Sequence, residues 1–159
     1  MERRELFSSL GFSRKRVQES IIRPPYFFDR SAFYKECVNC EGKCAKVCEE
    51  QIISIMEDKT PKLTFEESGC TYCDECALAC DFGVLDLQYK SKIEAKIKID
   101  MLQCLSWQKT MCFSCKDVCL DDSIEFLGLF RPEILYEKCT NCGLCVGVCP
   151  TNAIKVEGL

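Results

Sequence analysis

Sixteen cysteines in 159 residues fall into four groups, each spaced like a metal-binding loop. The most regular is Cys139-Thr140-Asn141-Cys142-Gly143-Leu144-Cys145-Val146-Gly147-Val148-Cys149-Pro150, which reads C-x2-C-x2-C-x3-C-P. With that spacing a short loop folds three thiolates around one iron–sulfur cube and sends the fourth to a neighbouring cube. Upstream lie Cys37-x2-Cys40-x3-Cys44-x3-Cys48, then Cys70-x2-Cys73-x2-Cys76-x3-Cys80, then Cys104-x7-Cys112-x2-Cys115-x3-Cys119. Together the four motifs use every cysteine. Soft sulfur holds iron in both oxidation states, and a tight loop aims backbone amides at the sulfurs to stabilise the reduced cluster.

Two other uses of so much sulfur are set aside. A disulfide scaffold needs an oxidising compartment, and the charged stretch from Met1 to Gly11 has no apolar core of a cleavable signal. No uninterrupted apolar run of about 18 residues offers a membrane span, so a cytoplasmic location is expected. Zinc sites usually pair two C-x2-C knuckles across a longer loop, whereas here three cysteines lie close together with a fourth three residues on. The chain has no histidine, which excludes Rieske-type centres and His-ligated haem and removes the commonest general base. No glycine-rich phosphate loop or dinucleotide fingerprint is present, so the chemistry expected is electron transfer, not catalysis on an organic substrate.

Because the fourth cysteine crosses to the other cube, motifs must pair. Short connectors between motifs one and two and between three and four favour adjacent pairing. This gives four [4Fe-4S] clusters on Cys37, Cys40, Cys44 with Cys80; Cys70, Cys73, Cys76 with Cys48; Cys104, Cys112, Cys115 with Cys149; and Cys139, Cys142, Cys145 with Cys119. A nested alternative pairs motif one with four and two with three. Cys104 stays a ligand despite its distance, since iron needs four. In its long loop Trp107 either shields the cluster from water or simply packs. Gly42 can absorb the extra residue of motif one. Asp81 stands where motif four has proline; with Glu49, Glu50, Asp121 and Asp122 it either disfavours electron addition or belongs to a solvated turn.

The formal charge of −4 counts cysteines as neutral. A cube of about 2+ on four thiolates adds about −2 per site, taking the loaded protein to about −12. Such a protein should avoid nucleic acid and seek a basic surface on a redox protein partner, although acidity also simply keeps it soluble.

The first cysteines, at 37, 70, 104 and 139, recur at intervals of 33, 34 and 35 residues, which marks an internal repeat. Five and seven residues after each final cysteine stand apolar pairs: Ile53 and Ile55, Leu85 and Leu87, Ile124 and Phe126, Ile154 and Val156. Leu63/Phe65, Ile97/Ile99 and Ile134 hold matching places before motifs two, three and four. Each unit thus reads strand, cluster loop, helical turn, strand. Such strands are too small to make a core alone, so the clusters supply much of it and the metal-free chain should be largely unfolded. Residues 1–30 differ, with seven basic residues against four acidic and apolar residues at helical intervals; two short helices are expected before Pro24-Pro25 ends them. Residues 31–90 and 91–159 are the two expected modules, with 86–100 reading as the link.

The cluster motifs resemble those of bacterial-type dicluster ferredoxins in tandem, implying an α+β fold of two small, loop-rich, cluster-nucleated modules behind a helical N-terminal arm. Arg23-Pro24-Pro25 after a basic stretch, four cysteine motifs, and above all Cys104-Leu105-x6-Cys112-x2-Cys115-x-Asp117-x-Cys119 resemble the NapF-type ferredoxins. Motif one departs from that family's commoner spacing by one residue. The resemblance implies a cytoplasmic accessory protein of the periplasmic nitrate reductase system, which binds the catalytic molybdenum subunit before export and aids its maturation. The alternative is a general electron carrier between a quinol or NADH oxidoreductase and a terminal reductase.

Overall fold

A computed structural model describes residues 20–159; the two helices expected ahead of Pro24-Pro25 lie outside the described residues. Helix α1 (Arg30–Glu36) is the longest, opened by Asp29, whose carboxylate accepts the Ser31 amide at 2.9 Å. The other helices are single turns: α2 (Lys43–Lys46), α3 (Glu75–Leu78), α4 (Ser114–Asp117) and α5 (Leu144–Gly147). Each begins one residue before the third cysteine of its motif, so the repeat seen in the sequence is a repeat of backbone shape.

The strands are β1 (Ile53–Ile55), β2 (Pro61–Leu63), β3 (Ala95–Ile99), β4 (Ile124–Leu127), β5 (Phe130–Ile134) and β6 (Ile154–Gly158). They form three antiparallel pairs. Two are hairpins between successive motifs: β1 on β2, with Ile53 opposite Leu63, and β4 on β5, with Ile124 opposite Ile134 and a bulge at Phe126/Leu127. The third joins the ends of the second half, β3 on β6, with Ile97 opposite Val156 and Ile99 opposite Ile154. The apolar pairs of the sequence therefore lie in register across these ribbons, their inner members Ile53, Ile124 and Ile154 buried.

One expected strand is missing. Leu85 and Leu87 after motif two do not pair; Leu85 is buried without a partner strand and Leu87 opens a short 3-10 turn (Leu87–Tyr89). The segment is instead held by residues from upstream. Leu63 donates to the Ile22 carbonyl at 2.8 Å, Asp86 to that of Tyr26 at 2.8 Å, and Ser91 to that of Pro25 at 2.9 Å. Residues 22–26 thus close the first half, and a proline pair that cannot donate hydrogen bonds serves as acceptor only. Part of the expected link also folds as structure: Ile93 is buried and β3 starts at Ala95.

Arg23 is buried with them, only 2 % exposed. Its guanidinium donates to Thr60 Oγ1 at 2.7 Å and to the Pro61 carbonyl at 2.5 Å, and lies 4.8 Å from the centre of the Phe33 ring. The end of the basic stretch is therefore part of the first half's core.

The two cores are unequal. In the first half Tyr26, Phe33, Ile52, Ile53, Leu63, Phe65, Val84, Leu85 and Ile93 form a continuous cluster, with Cys44 and Cys76 among them. In the second only Ile97, Ile124, Ile154 and Cys145 are buried together. A core of three isoleucines and a thiol cannot offset the chain entropy of some sixty residues, so whatever the cysteines hold must complete it.

Candidate metal centres

The cysteines gather in four quartets. One cavity is lined by Cys48, Cys70, Cys73 and Cys76 (site 2), another by Cys104, Cys112, Cys115 and Cys149 (site 3), and a third by Cys119, Cys139, Cys142 and Cys145 (site 4). Their open volumes of about 420, 350 and 310 Å³ are alike, as three copies of one kind of site would be. Cys37, Cys40, Cys44 and Cys80 (site 1) also neighbour one another, Cys37 and Cys44 each feeling both Cys40 and Cys80. In these groupings the final cysteine of each motif stands with the first three of its neighbour. None of the sixteen is in a disulfide.

The walls suit a bulky sulfur-ligated group. Ile53, Leu63, Pro24 and Pro25 line site 2, Ile99, Leu105, Pro132 and Ile154 line site 3, and Ile97, Ile124 and Ile134 line site 4. Among the described residues no three Cys, Asp or Glu side chains converge on a single-ion position. Four sulfurs standing back around an apolar space suit a multi-iron cube better than one tetrahedral ion.

In motifs two, three and four, amides point at the sulfur of the final cysteine from the turn that follows it. Leu85 donates to Cys80 Sγ at 3.4 Å, Ser123 to Cys119 Sγ at 3.3 Å and Ala153 to Cys149 Sγ at 3.2 Å. The turn is the same in all four motifs. Gln51, Gly83, Asp122 and Asn152, each three residues past the last cysteine, donate to that cysteine's carbonyl and take positive φ of 53°, 66°, 46° and 51°. Gly, Asp and Asn at this offset were a readable signal, because they tolerate the left-handed region, whereas Gln51 gives none. A second left-handed position, two residues before the third cysteine, is filled by Gly42, Asp74 and Gly143. Gly42 thus fills a position that the regular motifs share, and the extra residue of motif one, counted back from Cys44, is Glu41.

Motif three reaches the same geometry by another route. Its long loop doubles back through turns in which Cys104 donates to the Asp100 carbonyl at 2.9 Å, Gln108 to that of Cys104 at 3.1 Å and Thr110 to that of Leu105 at 2.9 Å. The Trp107 indole donates to the Pro132 carbonyl at 3.2 Å, pinning the loop to β5. Leu105 and Pro132 line the cavity while Trp107 does not, so the tryptophan packs and positions, and Leu105 does the shielding.

Burial pushes the Cys37, Cys44, Cys70 and Cys115 thiols up to about 11 and Cys76 up to about 12. Cys142 and Cys145 move the same way, again chiefly through burial. Four thiolates cannot share such cavities unless cations neutralise them, which is what iron would do. Cys149 is the exception: burial raises it, but the Thr151, Ala153 and Ile154 amides and the Thr151 hydroxyl outweigh this and lower it.

The acidic residues divide. Asp81 forms an exposed ion pair with Lys43, while Glu49 and Glu50 edge site 2. Asp121 lines site 4, where its carboxylate accepts the Thr140 amide at 3.0 Å and the Thr140 hydroxyl at 2.5 Å.

Residues 36–84 match the family model for a 4Fe-4S dicluster domain and residues 132–155 that for a 4Fe-4S binding domain. The ferredoxin-type protein NapF of Escherichia coli (strain K12) is 30% identical over 150 residues, covering 92% of this chain and 90% of that protein. NapF of Haemophilus influenzae is 30% identical over 163 residues, with 96% and 89% covered. The chain belongs to the NapF family of ferredoxin-type proteins. The ferredoxin-type protein NapG of E. coli is also similar, at 27% over 176 residues, 93% of this chain and 76% of that one. As a NapF-family member the chain is an iron–sulfur protein with two 4Fe-4S ferredoxin domains, an electron-transfer protein and not an enzyme. Motif three lies outside both matched stretches, so its place rests on the cavity that Cys104, Cys112 and Cys115 share with Cys149. Among the described residues no helix is long and apolar enough to cross a membrane.

Proposed function

We propose that this NapF-family protein holds four [4Fe-4S] clusters, one per quartet, in two tandem dicluster ferredoxin-like modules. In this reading it acts in the cytoplasm as an accessory protein to the catalytic molybdenum subunit of periplasmic nitrate reductase, binding it before export and supporting its maturation. The observation that carries the cluster reading is the gathering of the sixteen cysteines into four quartets, three of them around cavities with apolar walls. Support for the nitrate reductase system comes from relatives named NapF and NapG. The clusters supply one-electron chemistry; the chain supplies sulfur ligands, amides aimed at them, and walls that exclude water.

Protein isolated anaerobically should contain about sixteen iron and sixteen acid-labile sulfide per chain, four of each per cube. Iron for two cubes alone would refute the four-cluster assignment, and zinc without sulfide would refute the chemistry. For the partner, anaerobic co-purification with the immature catalytic subunit is compared between the full chain and a form lacking residues 1–19, which spares Arg23. Binding lost with clusters intact supports docking by the basic stretch; no binding by the full chain refutes the accessory role.

A further inference from the structure

The two halves meet along a seam that only glycine permits. A Cβ on Gly69 would overlap the Leu144 nitrogen and the Cys142 carbonyl; one on Gly147 would overlap the Glu67 carbonyl; Gly143, at φ +81°, lies flat against the Phe65 ring. This close approach lets the Cys70 amide donate to the Cys142 carbonyl at 2.6 Å. One residue from each of two different quartets is thereby joined by a direct backbone hydrogen bond. Beside it the Tyr72 hydroxyl donates to the Thr140 carbonyl at 2.7 Å and accepts the Ile93 amide at 3.1 Å, and Asn141 Nδ2 donates to the Ile93 carbonyl at 3.0 Å. Two cluster loops and the first residues of the second half are stitched into one unit.

Within each half the neighbouring sites are set by the exchanged cysteine: Cys48 ties motif one's loop to site 2, and Cys119 ties motif three's loop to site 4. Helix α2 packs on α3 and α4 on α5. The seam supplies the missing link between the pairs. It joins site 2 to site 4 and touches neither site 1 nor site 3.

We propose that the Gly69–Tyr72 and Thr140–Gly147 seam is the electron bridge between the halves, so that the four sites run in the order 1, 2, 4, 3 and not in chain order. This rests on the four-cluster reading above. A transfer across the seam takes one electron from the cube of site 2 to that of site 4; the first is oxidised by one electron, the second reduced by one, and no proton moves or bond breaks. Sites 1 and 3 are then the termini, where a one-electron donor and acceptor exchange with the protein. Gly69, Gly143, Gly147 and Tyr72 act through the loops they hold together and are positioning residues.

The test uses anaerobically prepared holoprotein reduced with dithionite and read by electron paramagnetic resonance, with iron and sulfide quantified on each sample. In the unmodified protein the spectrum carries magnetic interaction along a line of four cubes. Gly69→Ala, whose added methyl must push the loops apart, is expected to keep its iron and lose the interaction between halves, leaving the spectrum of two independent cube pairs. Gly147→Ala, acting at the opposite end of the seam on Glu67, is expected to do the same and decides the matter if Gly69→Ala does not retain iron. Gly128→Asn, in the exposed β4–β5 turn where an added Cβ meets nothing within 4 Å and where asparagine tolerates the left-handed backbone, is the control and should leave the interaction unchanged. A seam variant with full iron and the unmodified interaction pattern overturns the bridge. Fewer than four cubes in the unmodified protein overturns the four-cluster reading instead, so the two failures are distinguishable.

Discussion

Replacing the buried Arg23 with methionine keeps most of the side chain's length and removes its charge. Lost are the hydrogen bonds to Thr60 Oγ1 and the Pro61 carbonyl and the contact with the Phe33 ring. A hydrogen bond from a charged donor contributes about 1.5–3 kcal/mol, and a desolvated cation–π contact about 2 kcal/mol. Part of this is offset, because methionine need not be stripped of the water a guanidinium holds. Thr60 also keeps a partner in Asp58, at 2.6 Å. A net loss of about 3 kcal/mol remains, most of it from the orphaned Pro61 carbonyl and the opened packing against α1. In a protein with bound clusters that loss is best read as a rate, since unfolding is not a two-state equilibrium. Bleaching of cluster absorbance at a fixed guanidinium concentration should accelerate about a hundredfold, the equivalent of about 3 kcal/mol. Arg30→Met is the control, because the Arg30–Glu94 pair is solvent-exposed and contributes about 0–1 kcal/mol. Arg23 also opposes burial at Cys37, pulling down a thiol that desolvation raises, so its loss should lower the potential of site 1. Bleaching of Arg23→Met at the unmodified rate would refute the view that this residue secures the first half.

Cys149→Ser should weaken the spectroscopic signal of site 3 more than that of site 4, although Cys149 belongs to motif four; the reverse would show the adjacent pairing to be wrong. Asp121→Asn should raise the potential of site 4 in an anaerobic redox titration, because a carboxylate lining that cavity disfavours an added electron. Asp81→Asn should shift the potentials less than Asp121→Asn does, since that carboxylate is solvent-exposed and screened. In metal-stripped protein the first half, which has the larger apolar core, should lose what ellipticity it retains as pH rises from about 8.5, the ordinary thiol value, through about 11. The sign follows from folded-state thiols raised by burial, as at Cys44 and Cys70: the neutral thiol is favoured by the fold, so its stabilisation is complete below the unfolded value and is lost as the folded value is passed. Ellipticity unchanged across that range would show that the quartet cavities do not persist without metal.

What the sequence determined by itself was everything dictated by short-range geometry. Three cysteines in one short loop already describe one face of a cube, so the triplets of candidate ligands, the helical turn at each third cysteine and most strand positions were legible from spacing and alternation, while the choice between adjacent and nested pairing was not. The strand at Leu85 and Leu87 was misread because its apolar pattern was sound but the segment beside it, residues 22–26, contains Pro24 and Pro25, which cannot donate to a ladder. Arg23 looked like one cation among seven, and only the pocket formed by Thr60, Pro61 and Phe33 turns it into a core residue. Gln51 adopts the same left-handed turn as Gly83 and Asn152 through the demands of its loop, against its own preference. The regular motif at Cys139 announced one cluster loop, yet its last cysteine joins the irregular motif at Cys104 and its Cys142 carbonyl meets Cys70 from the other half. Local spacing picked out the candidate ligand atoms, because a ligand loop is a few residues long. Which sites are neighbours was decided by tertiary packing, because glycines at 69, 143 and 147 matter only once the two halves are pressed together.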